Sequence, residues 1–361
     1  MRIVILVHNL TGGGAERVAA LWANGFLSRG NEVKIITFDN KQPQTYELQE
    51  GIEVQSVIPR LGTCLFRVAE RIIKLRRTLK SNCPDIVIEV MPSWQHIVAM
   101  IGLKCILIST EHNSFERPHN AEHKLSWFSK YLLNSLYDHV TVLTQADKDV
   151  IGNRLKHVSV LPNPLALNPV LSIPAKEKFV LAVGRKDDWH YKGFDILIKA
   201  WALIVPNAKE WKLLLVGGST RGGQAYLERL CQEYGVVGGV EFLDCQSNIQ
   251  LYYQLASIFV LSSRYEGFGL VLIEAMSQGC ACVACDYKGR QSEIVTNGVD
   301  GLTCEPDNVD ALAQTVKVVI SDEKLRAQLQ LNAVKRSTDF NLGHIMDQWE
   351  RIIDQLTKQE G

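Results

Sequence analysis

The sequence lacks three things: excess charge of either sign, a long apolar run and a low-complexity tract. Its 39 Lys and Arg residues balance 39 Asp and Glu residues, so the formal net charge is zero at pH 7. Because the overall field attracts no polyanion, we expect no nucleic-acid partner, and only local charge clusters can matter. The longest apolar stretch, Ile97 to Ile108, contains Lys104 and is shorter than the roughly 18 residues of a spanning helix. We expect a soluble or peripheral protein.

The chain has nine cysteines but no recognisable secretory signal. Its N-terminal run, Met1 to Leu10, is apolar but short and has no small-residue cleavage site, so a buried first strand is expected. Cysteines without a secretory signal predict reduced thiols in a cytoplasmic protein. The only tight group is Cys280, Cys282 and Cys285, and strand alternation puts the third on the opposite face, with no fourth ligand nearby. These are predicted to be buried core thiols, and no metal is expected.

A chain of 361 residues predicts two domains, and strand-like and helix-like segments alternate along it. The strands are short β-branched runs, apolar on both sides, which is typical of parallel strands covered by helices. The predicted strands of the first half are Arg2–Val7, Glu32–Phe38, Asp85–Val90, Ile106–Ser109, His139–Leu143 and Val158–Leu161. The predicted helices there include Gly14–Arg29 and Leu65–Ser81.

A proline-rich, aperiodic segment from Pro162 to Pro174 predicts a linker, after which a second alternating series begins. Its predicted strands are Phe179–Gly184, Trp211–Gly217, Val240–Leu243, Ile258–Ser262 and Ala281–Ala284. The pattern predicts an α/β protein of two doubly wound Rossmann-like domains, residues 1–167 and 174–341. A last helix, Leu342–Leu356 within residues 342–361, is expected to pack back on the first domain. Ligands of such sheets bind beyond the carboxyl ends of the strands, so two facing domains predict a cleft.

The segment Tyr265–Gly279 is the most informative part of the chain, because it joins a strand-like run to a helix-like one through two glycines. Gly267 and Gly269 allow a sharp turn and close approach to a ligand, and the N–H groups that open the helix favour a phosphate. Glu274 lies within the first turns of that helix. A carboxylate there repels phosphate, so it is expected to accept hydrogen bonds from hydroxyl groups such as those of a ribose. The segment predicts a nucleotide-sugar site.

Two cations follow the first strand of the second half. Arg185 comes directly after Gly184 at the strand end, and Lys192 with Gly193 precedes the next helix. An arginine fork and a lysine point charge at this edge suit a diphosphate leaving group. The alternative is that both are surface cations of a loop.

A glycine-rich turn, Gly12 to Gly14, follows the first strand of the chain and permits close approach to phosphate or substrate. Arg17 occupies the last position of a dinucleotide-binding fingerprint, where glycine or alanine is needed, although Asp39 keeps an NAD site open as an alternative. His112, just past a strand end, is a candidate for contact with a sugar hydroxyl or for stabilising developing charge. Glu111 is a candidate to orient it, and the alternative is a loop histidine that only packs.

The predicted helix 65–81 is basic and amphipathic. Arg67, Arg71 and Lys74 recur at helical spacing, with Arg77 close by, beside a separate apolar stripe. The stripe consists of Val68, Ile72, Leu75 and Leu79. The helix is either a core helix with a solvated face or a dock for anionic lipid head groups or a lipid-linked pyrophosphate.

Together these residues resemble the retaining glycosyltransferases of glycosyltransferase family 4, which have the GT-B fold. The resemblance covers essentially the whole chain and depends on the following residues: Glu266 and Glu274 in an E-x7-E motif, Gly184-Arg185 with Lys192-Gly193, Gly12–Gly14, and Pro162–Pro164. Among relatives, the chain is most similar to bacterial enzymes of the PglH type that extend polyprenyl-pyrophosphate-linked glycans. One departure is the bulky Lys186–Tyr191 loop, which leaves donor details open.

The resemblance implies a catalytic and donor site made of residues from both halves. Arg185 and Lys192 hold the diphosphate, and Glu274 holds the ribose. Glu266, with the backbone of Gly267, Phe268, Gly269 and Leu270, holds the sugar and phosphates. Gly13 and Gly14 approach the β-phosphate, and His112 the sugar. Arg67, Arg71 and Lys74 face the acceptor or the membrane.

The implied reaction moves a hexose or N-acetylhexosamine from a UDP-sugar to a lipid-linked or oligosaccharide acceptor in bacterial surface-glycan biosynthesis. The anomeric configuration is retained, and no cofactor or metal is expected. Such an enzyme works in the cytoplasm as a peripheral protein on the inner face of the cell membrane. Two alternatives are a UDP-sugar 2-epimerase on the same fold and a non-catalytic sugar-nucleotide-binding protein.

Overall fold

A computed structural model describes residues 1–39, 45–59, 64–116 and 130–359. The chain divides into two compact units. One unit comprises Met1–Pro164 together with Leu342–Gly361, and the other comprises Leu165–Asn341. The division falls directly after Pro164 and directly before Leu342, so the C-terminal segment belongs to the same unit as the N-terminal half.

The first unit contains a seven-stranded sheet whose neighbouring strands all run parallel, in the order β3-β2-β1-β4-β5-β6-β7. Its central strands are almost wholly buried, as the continuous β-branched runs predict. Their bounds are Arg2–Val7 (β1), Glu32–Thr37 (β2), Glu53–Ser56 (β3), Ile86–Val90 (β4), Ile106–Glu111 (β5), His139–Val142 (β6) and Val158–Val160 (β7).

The second unit contains a six-stranded parallel sheet in the order β10-β9-β8-β11-β12-β13. Its bounds are Glu177–Val183 (β8), Lys212–Val216 (β9), Val240–Leu243 (β10), Ala256–Leu261 (β11), Ala281–Cys285 (β12) and Leu302–Cys304 (β13). Strands β11 and β12 are fully buried, and Cys280, Cys282 and Cys285 lie in this core, which confirms that they are buried thiols.

Helices cover the two sheets. Those of the first unit are Gly14–Ser28 (α1), Cys64–Asn82 (α2), Trp94–Met100 (α3) and Gln145–Ile151 (α4), with residues 130–134 also helical. Those that follow are Trp189–Lys192 (α5), Phe194–Ile204 (α6), Gly223–Glu233 (α7), Ile249–Leu255 (α8), Leu270–Ser277 (α9), Val309–Ser321 (α10), Glu323–Ser337 (α11) and Leu342–Gln359 (α12). Short 3-10 turns occur at Gly152–Arg154, Lys186–Asp188, Val205–Asn207, Val237–Gly239, Gln291–Glu293 and Thr338–Phe340. Over the described residues, the helices are all too short or too polar to cross a membrane.

Each sheet has one point where the strand order reverses. This switch point lies between β1 and β4 in the first unit and between β8 and β11 in the second. Loops that leave two adjacent strands at such a point diverge to opposite faces of the sheet and leave a crevice between them. The glycine turn Gly12–Gly14 follows β1, and the segments that begin at Gly184 and Ser262 follow β8 and β11. The sequence motifs therefore lie at the two switch points.

The predicted strands are all present, but β3 and β13 were missed. Both are edge strands, of four and three residues, and neither contains a fully buried residue. An edge strand that faces solvent on one side lacks the apolar run by which buried strands are recognised. The structure thus adds one edge strand to each predicted sheet.

The C-terminal helix α12 packs against α1 in the first unit. Trp349 is fully buried and meets the Trp22 ring edge-on at 5.1 Å between centroids. A β-carbon on Gly25 of α1 would lie 2.6 Å from the sulfur of Met346, so glycine lets the Met346 side chain lie directly against α1. Arg29 forms ion pairs with Asp347 and Glu350 at the rim of this contact.

We predict that Trp349→Ala destabilises the first unit by about 3–5 kcal/mol, because it removes a large buried aromatic side chain. Urea unfolding followed by circular dichroism measures this. Trp94→Ala is the matched control, since Trp94 is about half exposed and its truncation leaves no cavity. Equal unfolding midpoints for the two variants would contradict the role given to α12.

Candidate active site

Lys192 and Glu266 meet at the switch point of the second sheet. The Lys192 ammonium lies 2.9 Å from Glu266 Oε2, which also accepts a hydrogen bond from Ser263 Oγ at 3.2 Å. Both side chains remain partly accessible, at 28% and 17%. The two residues are 74 positions apart in sequence, and the structure brings them together as one ion pair.

A glycine after Lys192 makes this arrangement possible. Gly193 has a φ of +63°, and a β-carbon there would lie 1.9 Å from the Ser262 carbonyl oxygen. The Ser262 hydroxyl in turn donates to the Lys192 carbonyl at 2.7 Å. The backbone at Lys192 is therefore held directly against the end of β11, which positions the ammonium over the loop that contains Glu266.

The loop after β11 turns at Gly269 into helix α9. Gly269 has a φ of +102° and precedes the first residue of the helix, Leu270. Phe268 is 3% exposed, and its carbonyl accepts a hydrogen bond from the Gln291 amide at 3.3 Å. A helix that begins in this way presents backbone N–H groups at its first turn, where an anion is stabilised. The geometry from Phe268 to Leu270 suits the predicted phosphate contact.

Glu274 lies one turn into α9 and is 2% exposed. The hydroxyl of Tyr253, a fully buried residue of α8, donates to Glu274 Oε2 at 3.0 Å. A buried carboxylate requires such donors, because removal from water is otherwise costly. Sequence reasoning missed Tyr253, since nothing in its local pattern distinguishes it from a core tyrosine.

Arg185 is exposed at the end of β8, with 79% of its side chain accessible. Its Nε lies 3.1 Å from the Asp188 carboxylate, which also accepts a hydrogen bond from the Arg221 guanidinium at 3.1 Å. Arg221, in the loop before α7, is a second exposed arginine at this edge that the sequence did not reveal. The neighbouring Lys186 is fully buried and donates to the Leu243 carbonyl at 3.0 Å, so it has a structural role.

Arg264, two positions before Glu266, anchors the loop and was not predicted. Its guanidinium makes two parallel contacts with Asp195, at 2.7 and 2.8 Å, and its Nε contacts Asp307 at 2.8 Å. Burial lowers the pKa of Arg264, but hydrogen bonds with Asp195 and Asp307 outweigh it and hold the pKa above its ordinary value. This bidentate pair fixes the loop between β11 and α9.

In the first unit, the glycine turn is held by Tyr46. The Tyr46 hydroxyl accepts from the Gly13 amide at 2.9 Å and donates to the Gly13 carbonyl at 2.8 Å. A β-carbon on Gly13 would approach Glu16 Oε2 to 2.1 Å, and Gly14 begins α1. The predicted turn is therefore present at the N-terminus of the first helix, beside the switch point.

His112 follows β5 directly, and its Nε2 lies 3.3 Å from Thr110 Oγ1. Its ring packs on Trp22, with 5.6 Å between centroids. Burial lowers the pKa of His112 to about 4, an effect that Asn163 only partly offsets. The imidazole is therefore neutral at pH 7, which suits a hydrogen bond with a hydroxyl group.

Glu111 does not orient His112. Its carboxylate pairs with Lys130 at 3.0 Å and accepts from Asn134 at 2.7 Å. The expectation was wrong because neighbouring residues at a strand end point to opposite faces of the sheet, so Glu111 and His112 diverge.

A buried carboxylate at the end of β4 was also missed. Glu89 is 1% exposed and accepts from the Ser93 amide at 2.9 Å and from His96 Nδ1 at 2.6 Å. The Tyr137 hydroxyl donates to its other oxygen. Burial and the Glu89 charge raise the pKa of Tyr137 well above its ordinary value. The network ties α3 to the sheet at the first switch point.

The three predicted cations of the basic helix α2 have different surroundings. Arg67 is exposed, whereas Arg71 donates to Gln95 of α3 at 3.1 Å. Lys74 pairs with Glu70 at 2.6 Å and donates to the Ile58 carbonyl at 2.9 Å. Two of the three therefore make contacts within their own unit.

We predict that Arg264→Leu destabilises the second unit by about 3–5 kcal/mol, because it leaves the buried Asp195 carboxylate without its partner. Urea unfolding measures the loss. Lys178→Ala is the control, since its ion pair with Glu210 is more than half exposed and contributes at most about 1 kcal/mol. A loss for Arg264→Leu as small as that of the control would contradict the anchoring role.

Comparisons with known proteins cover the whole chain. The sequence model of the family described as Glycosyl transferases group 1 matches residues 166–336, and that of Glycosyltransferase Family 4 matches residues 12–168. The chain is 30% identical to a GalNAc-α-(1→4)-GalNAc-α-(1→3)-diNAcBac-PP-undecaprenol α-1,4-N-acetyl-D-galactosaminyltransferase of Campylobacter jejuni, over 99% of both chains. It is 27% identical to the amylovoran biosynthesis glycosyltransferase AmsD of Erwinia amylovora, over 98% of this chain and 99% of AmsD.

The fold is shared with solved structures. The Anabaena protein HepE, solved in complex with UDP-glucose, superimposes with a TM-score of 0.82 at 24% identity, over 99% of this chain and all of HepE. This similarity confirms the expected fold class of two Rossmann-like domains. Given a whole-length relative at 30% identity and both family models, the chain belongs to the group 1 glycosyltransferases with a family 4 N-terminal domain.

Proposed function

We propose that this glycosyltransferase is a retaining enzyme that moves a hexose or N-acetylhexosamine from a UDP-sugar to a lipid-linked or oligosaccharide acceptor in bacterial surface-glycan biosynthesis. The observation that supports this most directly is the Lys192–Glu266 ion pair at the second switch point, where the exposed Arg185 follows β8 and α9 begins at Leu270. Cations and helix N–H groups at one sheet edge suit a diphosphate, and the adjacent carboxylates suit hydroxyl groups.

The donor assignments follow from these surroundings. Lys192 is partly accessible and paired with Glu266, so a diphosphate competes with the carboxylate for the ammonium. Arg185 supplies a second cation, and Glu274 accepts from the ribose hydroxyls beside Tyr253. Glu266, with the backbone from Phe268 to Leu270, holds the transferred sugar and phosphates. As the resemblance implies, Gly13 and Gly14 approach the β-phosphate, and His112 contacts the sugar. The HepE complex with UDP-glucose supports a uridine donor.

The proposed chemistry is a displacement with retained configuration. The bond between the anomeric carbon and the diphosphate oxygen breaks as the acceptor hydroxyl attacks from the same face, and the departing oxygen takes the acceptor proton. The leaving diphosphate gains charge in the transition state, so Arg185, Lys192 and the N–H groups of α9 stabilise it more than the ground state. Because these groups supply the positive charge, we propose that no metal or other cofactor takes part.

The acceptor is proposed from the relatives. The Campylobacter enzyme is named for an undecaprenol-diphosphate-linked glycan, and AmsD for amylovoran biosynthesis. A polyprenyl-linked acceptor lies in a membrane, so we propose that the chain works in the cytoplasm as a peripheral protein on the inner face of the cell membrane.

The two alternatives have less support. The relatives compared above are named as glycosyltransferases, which does not favour a UDP-sugar 2-epimerase. Intact Arg185, Lys192, Glu266 and Glu274 argue against a non-catalytic binding protein. Conversion of a UDP-sugar to its 2-epimer in the absence of any acceptor would establish the epimerase instead.

We predict that Lys192→Ala and Arg185→Ala each reduce the turnover of the donor by about 10²–10³-fold, because each removes a cation that stabilises the leaving diphosphate. The assay is UDP release across a panel of UDP- and GDP-sugars, with and without acceptor. Lys178→Ala, an exposed cation of the same unit, is the control. Near-wild-type rates in both variants would refute the phosphate assignment.

We predict that Glu274→Gln weakens UDP binding by roughly 10- to 150-fold, the loss expected for hydrogen bonds to a charged group. Calorimetry with UDP and with its 2′-deoxy and 3′-deoxy analogues locates the contact. If Glu274 binds the ribose, the variant discriminates less than the wild type between UDP and at least one deoxy analogue. Tyr253→Phe is the control that keeps the carboxylate and removes its internal donor. An equal loss of affinity for all three ligands would mean that Glu274 only maintains α9.

A further inference from the structure

Two cysteines face each other across the last two strands of the second sheet. Cys285 ends β12 and Cys304 ends β13, and the two residues are register partners in these parallel strands. Their sulfur atoms lie 3.7 Å apart. Neighbouring strands are about 4.7–4.9 Å apart, which falls within the range of about 4.4–6.8 Å between the Cα atoms of disulfide-bonded cysteines. The backbone therefore already has the separation that a disulfide needs.

The two thiols differ in accessibility and in charge. Cys285 is 1% exposed, whereas Cys304 lies on the edge strand β13 and is partly accessible. Hydrogen bonding with Cys285 lowers the pKa of the Cys304 thiol, while hydrogen bonding with Cys304 together with burial raises the pKa of Cys285. Because the thiolate is the nucleophile in thiol chemistry, Cys304 is the thiol that meets a small solute first, and Cys285 is the second thiol beside it.

The strand that contains Cys285 leads into a segment that supports the loop between β11 and α9. Asp286 follows directly, and its carboxylate accepts a hydrogen bond from the backbone amide of Gln291 at 2.9 Å. The Gln291 side chain in turn donates to the Phe268 carbonyl at 3.3 Å. Phe268 precedes Gly269, where the loop turns into α9. A displacement at Cys285 therefore moves the support of the backbone that opens α9.

The strand that contains Cys304 leads to a second support of the same loop. Asp307 lies three positions after Cys304, and its carboxylate is 2.8 Å from Arg264 Nε. Arg264 also binds Asp195 and lies two positions before Glu266. The two cysteines thus end the strands from which two supports of the Glu266 loop depart.

We propose that Cys285 and Cys304 are an oxidation site, at which a peroxide converts the two thiols to a disulfide and thereby disturbs the Glu266 loop. The Cys304 thiolate attacks one oxygen of hydrogen peroxide, the O–O bond breaks, and the departing hydroxide takes a proton to become water. Cys304 is then a sulfenic acid, which condenses with a neighbouring thiol. The Cys285 sulfur attacks the Cys304 sulfur, the S–O bond breaks, and the oxygen leaves as a second water with the Cys285 proton. The two sulfurs lose two electrons, which the peroxide gains.

The bond changes the geometry beside the donor site. The sulfur atoms must approach from 3.7 Å to about 2.05 Å, and a misplacement of about 1 Å at a reaction site costs up to about 10²-fold in rate. Disulfides of cytoplasmic proteins are typically transient and redox-sensing, so a cellular thiol reductant reverses the change. The effect on the donor rests on the proposed function, whereas formation of the bond does not.

Peptide mapping tests the bond directly. The full-length protein is treated with hydrogen peroxide, unfolded in the presence of iodoacetamide without reductant, and digested with trypsin. We expect a cross-link between the tryptic peptides 265–288 and 291–317, which fragmentation assigns to Cys285 and Cys304 and which dithiothreitol cleaves. Failure to form a cross-link, or a cross-link through Cys280 or Cys282 instead, overturns the proposal. The map needs no variant, so it does not depend on how well any variant folds.

Donor turnover tests the consequence of the bond. We expect peroxide to slow UDP release by the wild type roughly tenfold and dithiothreitol to restore the rate, whereas Cys304→Ser keeps its rate under the same treatment. The matched control is Cys245→Ser, which removes an exposed cysteine of the same unit and leaves Cys285 and Cys304 in place, so it is inhibited like the wild type. Inhibition that persists in Cys304→Ser, or that disappears in Cys245→Ser, overturns the proposed effect. A complete cross-link with unchanged turnover also overturns it.

The two measurements separate this inference from the proposed function. A missing cross-link, with normal donor turnover by the untreated wild type, rejects the oxidation site alone. Absent donor turnover by the reduced wild type, across the UDP- and GDP-sugar panel, rejects the proposed function instead. In that case the peptide map still decides whether Cys285 and Cys304 are an oxidation site, because it requires no donor.

Discussion

The side-by-side pairing of β8 with β11 is the constraint on which the candidate donor site depends. The two strands begin 79 positions apart, yet Leu181 and Phe259 are partners in the sheet. Because the strand order reverses here, the segments after Val183 and Leu261 leave in different directions and open a crevice. Gly193 then allows the chain to press against the Ser262 carbonyl, and this contact holds Lys192 against Glu266.

The charged side chains near this crevice are of two kinds: some are paired and hold the loops in place, and others remain accessible to a ligand. Arg264 is half-buried and paired with Asp195 and Asp307, whereas Lys186 is fully buried, donates to the Leu243 carbonyl and lies 3.6 Å from Asp244. Asp187 accepts from the backbone N–H groups of Thr220, Gly223 and Arg221, and these hydrogen bonds hold its pKa well below the ordinary range. Arg185 and Lys192 differ because they stay accessible. A cation that remains in contact with solvent is available to an incoming diphosphate, whereas one that is fully paired only maintains the loop.

The first unit has a different physical character. Its switch point contains the glycine turn held by Tyr46 and the buried Glu89 network, and the neutral His112 follows the next strand, β5. Helix α2 contains six Lys and Arg residues and one carboxylate, Glu70. The described side chains thus place accessible cations at the second switch point and a basic helix in the first unit.

The sequence by itself determined the alternation of strands and helices, the two sheets and the position of the Glu266–Glu274 segment at the junction of a strand and a helix. These features depend on local periodicity and on glycines at short spacing, which the chain displays without folding. Only the tertiary structure decided that Lys192 pairs with Glu266, that Tyr253 donates to Glu274 and that Arg264 binds Asp195. It also paired Glu111 with Lys130 and engaged Arg71 with Gln95 of α3. These outcomes depend on contacts between residues distant in sequence and on the direction in which each side chain leaves its strand or helix, which no local pattern records.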